Sequence, residues 1–285
     1  MPFIPENNDA KLVGIYGDRG AGAASFLQTR SMWKEAFPSD IQKRIKKDSL
    51  VDFLNYGDVL ILPGGRDVFY HSDIDASICG AIRQFVKQGG VYIGICAGAY
   101  FATSFVDFDA GAPYQVNGKR HLGFWPGTAF GPVYQCKEYH IGHEQGACLL
   151  CIQREDMPRG ARSTTIDAEG ELVYYFGGCT FLLDPNTPES CNTCVIARYW
   201  DSYDRYAEQR LTNAYLAQGD MTSANIAAIK QTIGKGQVYL FGYHPEFRSK
   251  YMSPKNSCPK LIASMQTQID PKSVRSFRSY FVDLH

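Results

Sequence analysis

The 285-residue chain is 45% apolar, and its 29 lysines and arginines balance its 29 aspartates and glutamates. That balance leaves no field to draw the chain to nucleic acid or an anionic membrane, and no segment approaches the roughly 20 apolar residues that cross a bilayer. The length suits one large α/β domain with decorations. The opening Met-Pro-Phe-Ile-Pro-Glu-Asn-Asn lacks the basic and apolar regions of a signal peptide, which points to the cytoplasm, while nine cysteines keep an exported protein open.

A first strand is predicted over 11–16, followed by the glycine-rich loop Gly17-Asp18-Arg19-Gly20-Ala21-Gly22. That loop lacks both the Lys-Ser/Thr ending of a phosphate-binding loop and the spacing of a dinucleotide fingerprint. Residues 23–37 read as a helix, with Phe26, Trp33 and Phe37 near one core-facing side. The basic run Lys43-Arg44-Ile45-Lys46-Lys47 is a solvated strand or helix face. An apolar strand over 59–62 ends in Pro63-Gly64-Gly65, and 75–88 form a helix with Ile78, Ile82 and Phe85 on one face.

Behind the turn Gly89-Gly90, a short apolar strand runs into Gly94-Ile95-Cys96-Ala97-Gly98. A cysteine on a sharp strand-to-helix turn is exposed at the carboxyl edge of a sheet, and the flanking glycines keep neighbouring atoms clear. The helix that follows aims its positive end at the sulfur and favours the reactive thiolate. From 107 to 188 the rhythm breaks into short β-like runs punctuated by glycine and proline, an insertion predicted to roof the site. His140 and His143 beside Glu144 lie there, as does His121, and all three histidines read as loop residues rather than metal ligands. Cys148-x-x-Cys151 and Cys191-x-x-Cys194 have zinc-site spacing, but residues three apart on a strand face opposite sides; a local disulfide or free thiols is the better reading, and no metal is expected.

The last apolar strand, 236–243, ends in His244-Pro245-Glu246. A cysteine nucleophile needs a base, and the base needs a third group to fix its orientation. Two residues apart on extended backbone, His244 and Glu246 point to one side, so His244 can face Cys96 while Glu246 holds its other nitrogen. Acyl transfer through a thioester develops charge on the substrate oxygen, which the backbone amides of Ala97 and Gly65 can stabilise. The tail from 251 is two amphipathic helices, with Leu261, Met265 and Ile269, then Val274, Phe277 and Phe281, packing on the body or on a second copy in a homodimer. Strands alternating with helices imply a parallel sheet whose ligands gather at the carboxyl strand ends.

These three motifs, in this order, resemble the class I glutamine amidotransferase-like superfamily, whose members carry a Gly-x-Cys-x-Gly elbow, a Pro-Gly-Gly oxyanion loop and a C-terminal His-Pro-Glu. Residues 62–70, 82–86 and 94–102 are similar to the amidotransferase-like domain at the N-terminus of eukaryotic biotin protein ligases, which also occurs free-standing. Residues 174–178, 195–199 and 233–236 fit the same family. The resemblance implies a flavodoxin-like, doubly wound, mainly parallel sheet with helices on both faces over 10–250, carrying the β-rich 107–188 insertion and a helical extension over 251–285. It also brings the Gly17–Gly22 loop to the border of the site. Asp18, Gly64, Asp67, Tyr70 and Tyr100, together with Ser25, are the pocket candidates.

Two departures bear on function. Ala99-Tyr100-Phe101 stands where the superfamily's glutaminases place a glutamine, so free glutamine is not the expected substrate. No stretch reads as a synthetase domain or as the nucleotide loop of a biotin ligase, so biotin ligation is not expected, and no cofactor is implied. The sequence points to a cysteine-dependent amidase or amidotransferase-like hydrolase acting on a small-molecule amide or acyl substrate. The other reading is a non-catalytic binding or regulatory module that keeps the fold and pocket.

Overall fold

The structure, a computed structural model, describes residues 10–133, 147–155, 170–183, 193–199, 225–252, 257 and 259–285. Its centre is built from apolar runs too short for helices, β1 (Leu12–Tyr16), β3 (Val59–Leu62) and β4 (Val91–Ile95). Every residue of β3 and β4 is buried, as in parallel strands covered on both faces. With β2 (Ile41–Ile45) and β13 (Gly236–Phe241) they pair in parallel in the order β2-β1-β3-β4-β13. The basic run at 43–47 is the end of β2 and the start of a helix, with its four charged side chains exposed.

Helices cover both faces, because alternate strand residues point to opposite sides. Leu60 and Leu62 pack with Leu50 and Phe53 of α2 (Lys47–Leu54) and with Ile82 and Phe85 of α4 (Ala76–Lys87). Val59 and Ile61 pack instead with Met32 and Trp33 of α1 (Ala23–Ala36). Asp75 caps α4 by accepting the Ile78 N–H at 2.9 Å, satisfying one of the donors a helix start leaves open. On α1 the expected apolar stripe is narrower than its spacing implied. Trp33 is fully buried, but Phe26 is only partly covered, under the Arg44 guanidinium, and Ser25, Gln28 and Thr29 are buried in its place.

The mainly parallel, doubly wound sheet expected from the sequence is corrected by what lies beyond β13. β12 (Ile226–Ile233), β11 (Thr193–Tyr199), β8 (Cys148–Arg154) and β9 (Glu171–Tyr175) continue it antiparallel, so the nine-stranded sheet is mixed. The physical cause is a tight hairpin: Ile233 pairs with Gly236, and Gly234 between them takes φ 62°, where glycine carries no steric penalty. Two strands of the insertion, β8 and β9, therefore widen the main sheet. The rest forms a second sheet of order β10-β7-β5-β6, from β5 (Thr103–Phe108), β6 (Val116–Lys119), β7 (Trp125–Gly131) and β10 (Thr180–Leu183). Its Val106, Trp125, Ala129 and Phe181 join the core on the α2 and α4 side.

The tail helices, α6 (Pro259–Gln268) and α7 (Asp270–Ser279), pack on the body. Phe277 and Phe281 meet the Trp33 ring at centroid distances of 6.0 and 5.4 Å, and Met265 and Ile269 bury against Tyr174, Phe247 and Met252. No described helix is long and apolar enough to cross a membrane.

Candidate active site

β3, β4 and β13 end level with one another, Leu62 beside Gly94 and Ile95 beside Phe241, so the three motifs that follow them open at one sheet edge. Cys96 sits between β4 and α5 (Ala97–Phe101) with φ 49° and ψ −105°. That conformation costs a non-glycine residue about 1–3 kcal/mol and is held here by its surroundings. The Cys96 N–H donates to the Phe241 carbonyl at 2.8 Å, and the thiol donates to the Phe176 carbonyl at 3.6 Å. The glycines around it have packing reasons. A Cβ on Gly94 would lie 2.6 Å from the Gly98 carbonyl oxygen, and one on Gly98 would strike the Leu62 carbonyl. At five residues α5 is too short for a long aligned dipole, so its contribution at the sulfur comes from the open N–H groups of its first turn.

His244 follows β13, and its N–H donates to the Tyr174 carbonyl at 3.0 Å, which ties it to β9. Its Nδ1 lies 2.8 Å from Glu246 Oε1, and the ring lines the same cavity as Cys96. Both residues are buried, Glu246 completely. Burial alone would lower the His244 pKa, but the charges of Glu246 and Cys96 outweigh it and push the imidazole up to about 10. His244, held by Glu246, and Cys96 thus line one cavity at the sheet edge.

Ser25 does something the sequence reading missed. Its Oγ donates to Glu246 Oε1 at 2.7 Å and accepts the Gly64 N–H at 2.8 Å. It lines the cavity as expected of a pocket candidate, yet its polar contacts are with the carboxylate and the Pro-Gly-Gly loop. The loop is pinned elsewhere too. The Tyr70 hydroxyl donates to the Pro63 carbonyl at 2.8 Å, and Gly22 N–H to the Gly64 carbonyl at 2.8 Å. Gly65 has φ 156°, and a Cβ there would strike the Gly20 carbonyl. Among the described residues, neither the Gly65 nor the Ala97 N–H donates to a protein acceptor, and both residues line the cavity over Cys96.

That cavity, about 460 Å³, is walled by Tyr100, Phe108, Tyr114, Val116, Tyr174 and Phe176, most of them from the insertion. The candidates Gly64, Asp67 and Tyr100 line it; Asp18 and Tyr70 do not. Asp18 instead accepts the Lys47 N–H at 3.1 Å, tying the loop after β1 to the start of α2, and Tyr70 is buried behind the Pro-Gly-Gly loop. Of the aromatic pair after the elbow, Tyr100 faces the cavity and donates to the Gly177 carbonyl at 3.1 Å, whereas Phe101 is turned into the core against Tyr70. Asp67, in α3 (Asp67–Asp73), is held by Arg120, whose Nε donates to Oδ2 at 2.7 Å. Burial raises the Asp67 carboxyl above the ordinary aspartate value and outweighs the lowering by Arg120. No local pattern marks Arg120, which comes from the loop after β6 to meet a residue 53 positions earlier.

Among the described residues no group of three His, Cys, Asp or Glu side chains could hold a metal ion. Cys148 pairs across the sheet with Tyr175 and Cys151 with Leu172, residues of two different core clusters on opposite faces. Cys194 is an exposed thiol at the start of β11. His140, His143, Glu144 and Cys191 lie outside the described residues. His121 stacks on His71 with ring centroids 4.9 Å apart.

One strand edge of a mixed α/β sheet thus carries a cysteine elbow, a Pro-Gly-Gly loop and a buried His-Glu pair. Residues 13–282 match the biotin-protein ligase N-terminal family, and the chain belongs to that family. A biotin–protein ligase of Schizosaccharomyces pombe is 35% identical over 194 residues, 67% of this chain and 26% of the ligase. The chain therefore spans about a quarter of that relative's length. An uncharacterised protein of Chlamydia muridarum is 26% identical over 244 residues, 84% of this chain and 82% of that one. A solved ThuA-like protein from Bacteroides uniformis shares the fold, with a TM-score of 0.50 at 10% identity, over 98% of this chain and 94% of that one.

Proposed function

We propose that the chain is a cysteine-dependent amidase or acyl transferase that works through a thioester. The observation that carries this reading is the buried His244–Glu246 pair on the cavity that Cys96 and two open backbone amides also line. Cys96 attacks the acyl carbon of the substrate, forming the C–S bond, and Ala97 and Gly65 hold the oxyanion. His244, oriented by Glu246, delivers its proton to the leaving amine as the tetrahedral intermediate collapses, then draws a proton from water or an acceptor that breaks the thioester.

The aromatic wall favours an acyl group bulkier and more apolar than the glutamine side chain, since burying a polar group without a partner against apolar rings costs about 1–3 kcal/mol. Poor turnover of free glutamine and no biotin ligation belong to the same proposal. Incubation with a panel of aromatic and alkyl amides and thioesters, with Cys96→Ser as the blank, tests it. Acyl-Cys96 trapped by mass spectrometry supports the reading, while glutamine hydrolysed at one per second would overturn the substrate class. A binding module without turnover is favoured by one contact, the thiol's bond to the Phe176 carbonyl. In that case ligands bind and Cys96 never acylates.

A further inference from the structure

We infer that Ser25 is a positioning residue that locks the Glu246 carboxylate and ties it to the oxyanion loop; this rests on the triad reading above. A serine hydroxyl has a single proton. The Gly64 N–H can only donate, so it occupies a lone pair of Ser25 Oγ at 2.8 Å and leaves that proton for Glu246 Oε1 at 2.7 Å. Oε1 also meets His244 Nδ1 at 2.8 Å, so the oxygen that orients the base is the one Ser25 holds. The second oxygen, Oε2, is buried and has no partner among the described residues. Ser25 is thus the side chain, besides His244 itself, that stops the carboxylate from turning about its last bond. A hydrogen bond to an ionised group is the strong kind, stronger still where water is excluded, and Glu246 is fully buried.

The placement is built into α1. Gln28, three residues on, clamps the backbone of Arg248, donating Nε2 to its carbonyl at 2.6 Å and accepting its N–H at 3.2 Å. Further along, Glu35 pairs with the Arg248 guanidinium at 2.6 Å, and Ser31 accepts from it at 3.1 Å. Residues 25, 28, 31 and 35 recur at helical spacing, so one face of α1 grips the chain just beyond the catalytic pair. This is why polar side chains occupy the buried face where an apolar stripe was expected. One hydroxyl then registers three parts on each other: helix, oxyanion loop and acid.

The test is the rate of Cys96 alkylation by limiting iodoacetamide, followed by mass spectrometry on the full chain. Ser25→Ala should slow it about tenfold, the scale of one hydrogen bond to a charged group. Ser25→Thr, which keeps the hydroxyl, should restore most of the rate. In a Glu246→Gln background Ser25→Ala should change nothing further, because its effect runs through the carboxylate. Wild-type rates in Ser25→Ala, full additivity with Glu246→Gln, or no recovery with Thr would each overturn the role while leaving the triad standing. If His244→Ala also alkylates at the wild-type rate, the triad fails first and Ser25 falls with it.

Discussion

The two halves of the main sheet divide the labour of the site. The parallel half, β2-β1-β3-β4-β13, carries the three motifs, because three of its strands stop level and release Gly65, Cys96 and His244 at one edge. The antiparallel half and the second sheet supply walls: Tyr174 and Phe176 from the end of β9, and Phe108, Tyr114 and Val116 from β5 to β6. A parallel edge points several strand ends the same way, which gathers chemistry, whereas antiparallel strands and their loops are free to vary shape around it. One backbone bond, His244 N–H to the Tyr174 carbonyl, joins the two halves at His244 itself.

If chemistry belongs to the parallel half, substitutions there should remove reactivity, and substitutions in the walls should alter stability or selectivity. The largest effect is expected for His244→Ala, which should slow Cys96 alkylation by roughly a hundredfold, with Glu246→Gln less severe because it acts through the base. Cys96 should also be labelled before Cys148, Cys151 and Cys194; peptide mapping showing Cys194 leading would count against the division. The next effect lies on the wall. Asp67→Ala strands a buried guanidinium whose side chain is only 4% exposed and should cost about 3–5 kcal/mol in urea unfolding. Replacing Asp67 and Arg120 together with leucine and methionine should recover most of it, and failure to recover would show that the pair does more than neutralise itself.

A smaller effect concerns pH. The folded pKa of His244 is raised to about 10 from an ordinary 6.5. The native state therefore holds this proton more tightly than the unfolded chain, and the resulting stability is complete below pH 6.5 and lost as pH rises towards 10. Thermal melts of wild type and His244→Gln should accordingly converge as pH climbs through that window. Cys96→Ser should narrow the wild-type advantage, since the neighbouring Cys96 is one source of the shift. A difference that is flat with pH would remove the ion-pair description. The smallest effect is Tyr100→Phe, which deletes the bond to the Gly177 carbonyl at the seam between elbow and wall and should cost about 1 kcal/mol with Cys96 reactivity intact.

Legibility followed the same division. The elbow, the Pro-Gly-Gly loop and the His-Pro-Glu are each contiguous and follow an apolar strand, so period and turn chemistry reveal them. The walls are not contiguous. Tyr70, a pocket candidate in the sequence, is turned behind the loop by its helix, and the one-residue difference between Tyr100 and Phe101 decides which ring meets the cavity. Asp18 was misplaced for a similar reason: a loop that borders the site in sequence turns its carboxylate to the α2 backbone.

From its sequence alone the chain determined alternating strands and helices, a strained cysteine turn, a histidine and glutamate facing one way, and a two-helix tail. Local backbone sterics and side-chain periodicity act within a few residues, and those features need nothing more. Tertiary structure alone decided that the sheet turns antiparallel after β13, that Arg120 meets Asp67, and that Ser25 reaches Glu246 from 221 residues away. Such contacts depend on which buried polar groups find partners when the layers close, and no local pattern encodes that pairing.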